Sequence, residues 1–71
     1  MMEIIINNEK KIFSEPSLTI LELLSCCHVE SPEAVSLQLN DKFVPRIGFD
    51  LTRVRDGDRV DFLYFVGGGR R

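Results

Sequence analysis

The sequence predicts an α+β fold in which one main helix packs across a mixed β-sheet. Three observations predict it: apolar, β-branched or aromatic segments at both ends of the chain, one helical apolar period at residues 19–27, and one alternating segment at residues 35–40. Seventy-one residues make a single domain with a modest core and a stability of only a few kcal/mol.

Residues 3–6 and 11–13 read as the two arms of a β-hairpin. The intervening Asn7-Asn8-Glu9-Lys10 supplies Asn, which tolerates the positive φ of tight hairpin turns. Ser14-Glu15-Pro16-Ser17 then ends the pattern, because proline cannot continue a central strand. Thr19 and Glu22 form the sequence signature of a capping box, and Leu18 with Leu23 fits a hydrophobic staple. Ile20, Leu23, Leu24 and Cys27 recur at helical spacing and are expected to face the core. Residues 29–33 are expected to end the helix, with Pro32 in the connection.

Val35, Leu37 and Leu39 alternate with Ser36, Gln38 and Asn40, as on a half-buried strand. Asn40-Asp41 reads as a turn, and Phe43-Val44 as a short strand stopped by Pro45. Residues 46–55 read as irregular, with a single helical turn expected near residues 50–52. Asp56-Gly57-Asp58 is a turn signal, and residues 59–66 form the last strand. The order hairpin, helix, strand, short strand, last strand is that of a β-grasp, the ubiquitin-like topology. The first and last strands would be central, parallel neighbours, which accounts for their apolar character. Residues 1–66 are expected to form the β-grasp domain, and residues 67–71 a flexible C-terminal glycine tail with an Arg-Arg extension.

Composition narrows the function classes. An apolar content of 44%, a charged content of 28% and a net charge of −2 are ordinary for a soluble domain. They argue against a general nucleic-acid binder, whose affinity rests on clustered Lys and Arg. No apolar run approaches the roughly 20 residues that span a bilayer, and the N-terminus lacks the basic and long apolar regions of a secretory signal. Cys26 and Cys27 are adjacent, so they cannot staple distant segments; a reducing cytoplasm is expected.

Neighbouring cysteines on a helix point about 100° apart, and a structural zinc site needs further ligands at set spacings, so Cys26-Cys27-His28 is read as helix-end structure. Asp56 and Asp58 flank a turn glycine, where Asp bonds nearby backbone, and are read as structural. No catalytic residue and no metal ligand is assigned. Leu63 and Phe65 should lie on the face of the last strand opposite the helix and, with Val66, are candidates for contact with a partner.

The stretches Thr19-Ile20-Leu21-Glu22-Leu23-Leu24, Leu39-Asn40, Val44-Pro45-Arg46, Asp56-Gly57-Asp58-Arg59-Val60 and Phe65-Val66-Gly67-Gly68-Gly69 occur in order along nearly the whole chain. Together they resemble the thiamine-biosynthesis sulfur carriers (ThiS), within the ThiS and MoaD superfamily. The resemblance implies a carrier rather than an enzyme, with no permanently bound cofactor. Its C-terminal glycine carboxylate would be adenylated by an E1-like, ThiF-like adenylyltransferase that consumes ATP. Sulfur from a donor such as a cysteine desulfurase would convert it to a thiocarboxylate, which a ThiG-like thiazole synthase would use. Gly69, with Gly68, would carry the sulfur, and Gly67 would belong to the tail. Glycines suit this role physically, because a tail without side chains threads a narrow channel.

Arg70-Arg71 departs from the family pattern, which ends on glycine. The carbonyl of Gly69 is here tied in an amide, which cannot be adenylated as a carboxylate can. Removal of both arginines by a peptidase is the expectation; an added remnant or a lost carrier role are the alternatives. Other acceptors within the class are the molybdopterin precursor and amino-acid biosynthesis. A ubiquitin-like protein modifier and a non-covalent interaction module are the readings from other classes.

Overall fold

The computed structural model describes residues 1–64. The candidates Phe65, Val66, Gly67, Gly68, Gly69, Arg70 and Arg71, and the expected domain boundary at residue 66, lie outside the described residues.

The elements run β1 (Met2–Ile6), β2 (Glu9–Phe13), β3 (Ser17–Thr19), α1 (Ile20–Cys26), β4 (Val35–Leu39), β5 (Lys42–Val44), β6 (Arg53–Arg55) and β7 (Arg59–Tyr64). Five strands form one sheet in the order β2-β1-β7-β4-β5, and β3 pairs with β6 in a second. β7 occupies the centre, parallel to β1 and antiparallel to β4. The expected parallel pairing of the first and last strands is therefore present, and the architecture is the expected mixed sheet with one main helix.

Alternation decides which residues enter the core. Met2, Ile4 and Ile6 of β1, Val35 and Leu37 of β4 and Val60 of β7 are buried. They meet Ile20, Leu23 and Leu24 of α1, with Phe62 partly buried against them. Cys27 packs against this core from the helix end, as its spacing predicts.

The capping box at the helix start is present as expected. Thr19 Oγ1 accepts the Glu22 N–H at 3.1 Å, and Glu22 Oε1 accepts the Thr19 N–H at 2.8 Å. The helix ends sooner than residues 29–33. Cys27 is the C-cap, and His28 adopts φ 64°. The His28 N–H bonds the Ser25 carbonyl at 3.0 Å, and the Val29 N–H bonds the Leu24 carbonyl at 3.0 Å. This is a Schellman closure, with buried Val29 supplying its apolar contact.

Three further expectations need correction. The first turn is the two-residue Asn7-Asn8, with φ of 50° and 70°; Glu9 and Lys10 already belong to β2. The helical turn begins earlier than residues 50–52, with a 3₁₀ turn at Arg46–Gly48 in which the Pro45 carbonyl receives the Gly48 N–H at 2.9 Å, and it runs on until the Thr52 N–H bonds the Gly48 carbonyl at 2.9 Å. The β3–β6 pair was not expected, since each strand is three residues long with one core side chain, Leu18 or Val54. Such pieces are too short to show a period. The segment that leads into β6 anchors the helix: the Ile20 N–H bonds the Thr52 carbonyl at 3.0 Å and the Leu21 N–H bonds the Phe49 carbonyl at 3.1 Å. Two orphan donors of the first helical turn are thereby satisfied, and Phe49 is buried beneath them.

Candidate functional site

The site of interest is the end of β7, the strand that leads into the glycine run. Its inner face carries Val60 and Phe62 and its outer face Leu63, as the sequence alternation predicts; Leu63 is 66% exposed. β4 pairs with β7 through the whole register from Leu39–Val60 to Val35–Tyr64. β1 pairs with it only as far as Ile6–Val60, because the chain then turns away through Asn7.

At that departure an asparagine takes over from the main chain. The Asn7 N–H bonds the Val60 carbonyl at 2.9 Å, and Asn7 Oδ1 accepts the Phe62 N–H at 2.8 Å. In a continued parallel ladder the main-chain carbonyl of residue 7 would accept that bond. The positive φ of Asn7 has swung its own carbonyl away, and its side-chain oxygen stands in. The same device recurs where β4 leaves β7. Asn40 has φ 52°, its N–H bonds the Arg59 carbonyl at 2.8 Å, and its Oδ1 accepts the Arg59 N–H at 2.9 Å. Sequence reasoning identified both asparagines as turn residues and missed this second use. The available signal was an Asn placed directly after each of two apolar strands, Ile6-Asn7 and Leu39-Asn40.

The outer face around Leu63 is open. A cleft of about 420 Å³ lies there, lined by Leu63 with Asn7, Asn8, Ser36, Gln38 and Asp61. Phe43 of β5 and Ile12 of β2 are also exposed, at 66% and 62%. The Arg59 guanidinium bonds Asn8 Oδ1 and meets Asp61 at 3.3 Å. These surface contacts contribute at most about 1 kcal/mol but order the rim of the cleft.

The remaining candidates have structural partners. Asp56 Oδ1 accepts the Glu3 N–H at 2.7 Å, and Asp58 Oδ2 accepts the Arg55 N–H at 2.8 Å. Asp58 Oδ1 also accepts a bond from Asn40 Nδ2 at 3.1 Å. Between them Gly57 holds φ 89°, a conformation that side chains resist. Asp58 thus closes the turn and links it to Asn40, while Asp56 ties the turn to β1. Burial, and to a lesser extent the neighbouring Cys26, pushes the Cys27 thiol above its ordinary range, which keeps it protonated. Cys26 and His28 are exposed. Among the described residues no three His, Cys, Asp or Glu side chains gather to hold a metal, and no helix is long and apolar enough to cross a membrane.

With this geometry in place, comparison with known proteins is decisive. The model of the ThiS family matches residues 2–69. The chain belongs to the ThiS family. Its fold is similar to the crystal structure of the thiamine biosynthesis protein ThiS from Geobacter metallireducens, with a TM-score of 0.82 and 42% identity over 96% of this chain and 100% of that one. A solution structure of a thiamine biosynthesis protein from the same organism gives a TM-score of 0.81 and 41% identity, covering 99% of this chain and 91% of that one. A thiazole synthase from Paramagnetospirillum magneticum is 35% identical over 68 residues, or 96% of this chain. The chain spans only 20% of that synthase's length. The family match ends on Gly69 and leaves Arg70 and Arg71 beyond it.

Proposed function

We propose that this ThiS-family protein carries sulfur as a thiocarboxylate on Gly69, with Gly68 and Gly67 as the stem that enters partner active sites. The observation that carries the reading is a family match running to Gly69, five residues along the sequence from the end of the central strand β7 at Tyr64. A carboxylate oxygen is a poor leaving group until it is activated. An E1-like adenylyltransferase would supply that activation by joining the carboxylate to AMP and releasing pyrophosphate from ATP. The terminal sulfur of a persulfide, on a donor such as a cysteine desulfurase, would then attack the acyl adenylate and expel AMP, and a thiol reductant would cleave the resulting acyl disulfide to the thiocarboxylate and the donor's thiol.

Gly69 must first gain a free carboxylate, so a peptidase hydrolyses the Gly69–Arg70 bond. The acceptor enzyme we favour is a thiazole synthase. The similarity to a segment of a thiazole synthase from P. magneticum supports this choice over a molybdopterin or amino-acid pathway. Docking would use Leu63 of the outer face, together with Phe65 and Val66, in the cytoplasm.

The test compares full-length protein with a form ending at Gly69, each incubated with ATP, the adenylyltransferase, a persulfide donor and a thiol reductant. Intact mass should show one oxygen replaced by one sulfur in the Gly69-ending form alone. An unchanged mass in that form would refute the carrier reading. Full-length chains alone in the native organism, without thiocarboxylate, would refute the processing step.

A further inference from the structure

β7 is held from both sides as far as Val60, but beyond it the two sides are unequal. β4 continues to Tyr64, while the main chain of β1 has turned into the hairpin. Among the described contacts, the side chain of Asn7 alone continues the β1 side, at the Phe62 N–H. A strand tethered on one edge twists and splays more readily than one tethered on both. We propose that Asn7 is a positioning residue for the carrier tail: its side-chain oxygen completes the β1–β7 ladder at Phe62 and so fixes the direction in which the chain leaves the domain.

The inference rests on the carrier reading above, because direction matters only if the tail must enter a partner. Gly69 lies seven residues beyond Phe62, at most about 25 Å when fully extended. Loosening Phe62 therefore widens the range of positions and directions from which the stem starts. A partner that receives the tail in a narrow channel must restore the lost order on binding, which weakens association and leaves the bound chemistry unchanged. Asn40 provides an internal control. It makes the equivalent pair of bonds to β7 from an equivalent turn, but at Arg59, the end of the strand remote from the tail.

The experiment uses Asn7→Gly, Asn7→Asp and Asn40→Gly. Glycine keeps the positive φ and deletes only the acceptor; aspartate keeps both, since it also tolerates that conformation. Amide hydrogen exchange on the full chain reports the bond itself. Phe62 should exchange about tenfold faster in Asn7→Gly and return close to wild type in Asn7→Asp. Every contact described above lies within residues 1–64, so the form ending at Gly69 retains them. Carrier-dependent ATP–pyrophosphate exchange by the adenylyltransferase is then measured with that form. Asn7→Gly should raise the KM for the carrier about fivefold to tenfold with kcat within twofold, the pattern of lost uniform binding. Asn7→Asp should restore it, and Asn40→Gly should leave KM within twofold despite a comparable loss in melting temperature. If wild type turns over and Asn7→Gly exposes the Phe62 amide without moving KM, the positioning role is wrong. An equal KM rise in Asn40→Gly would overturn it too, by assigning the effect to stability. A wild-type carrier ending at Gly69 that supports no exchange would instead refute the carrier reading.

Discussion

Replacing His28 by glycine should stabilise the domain. His28 occupies the left-handed position that closes α1, with φ 64°, where an L-residue pays roughly 1–2 kcal/mol relative to the right-handed region. Its side chain is exposed, so its removal uncovers no core. The bonds that form the closure are main-chain bonds, from His28 to Ser25 and from Val29 to Leu24, and both survive the change. Against this gain stands the greater freedom of glycine in the unfolded chain, about 0.4–1 kcal/mol. The difference leaves His28→Gly ahead by about 0.5–1 kcal/mol. For a domain of this size that is a rise in melting temperature of roughly 2–8 °C.

A thermal melt followed by circular dichroism measures it, with His28→Ala as the companion. Histidine tolerates the left-handed region better than alanine does, so the order of stability should be Gly, then His, then Ala. A melting temperature for His28→Gly at or below wild type would refute the reasoning. It would mean that the imidazole makes a contact worth more than the strain of its backbone.

Thr19→Ala removes one arm of the capping box and should destabilise by about 1 kcal/mol, read from a denaturant melt. The Thr19 backbone N–H, helped by its hydroxyl and by Arg53, holds the Glu22 carboxyl below its ordinary value of 4.5. Because the folded pKa is the lower one, that contribution is complete above the ordinary value and is lost as pH falls through the folded one. Glu22→Gln should flatten this part of the stability profile, and an unchanged acid limb would count against the box. Alkylation with iodoacetamide should label exposed Cys26 ahead of Cys27, whose thiol is partly buried and raised; peptide mass analysis gives the order. Leu63→Glu should leave the melting temperature within the roughly ±0.5 kcal/mol range of surface changes while weakening capture by the adenylyltransferase. Unaltered capture would remove the outer face from the docking surface.

Long or signalled elements were legible in the sequence for physical reasons that can be named. Thr19 and Glu22 announce a helix start because each must satisfy a backbone donor of the other. Val35, Leu37 and Leu39 announce β4 because one face of it is buried. The β3–β6 pair was illegible because Leu18 and Val54 are single apolar residues whose partner is far away in sequence. Leu18 could be read only as a staple, a local role, although its main contact is long-range. The helix end was placed too late because histidine stands at the closure where glycine usually marks it. For the site, the strand, its outward Leu63 and the structural role of Asp56 and Asp58 were readable. The second function of Asn7 was not, since a side chain that replaces its own carbonyl leaves the same trace in sequence as any turn asparagine.

That replacement bears on why this fold suits a carrier. A protein that presents its end to an enzyme needs a last strand that is rigid up to the point of departure. The central position of β7 supplies neighbours on both sides, yet a parallel neighbour cannot follow it to the end if that neighbour must also turn into a hairpin. Ending β1 at Ile6 frees the space beside Phe62 and Leu63, which a partner approaching the tail needs. It also removes the main-chain acceptor that would hold Phe62. An asparagine at the first turn position meets both demands: positive φ takes the main chain away, and a short amide side chain stays behind to accept the bond. Serine and alanine meet neither demand fully, and glycine meets only the first. The turn that looks like the simplest local feature of the chain is therefore where the hold on Phe62 is set.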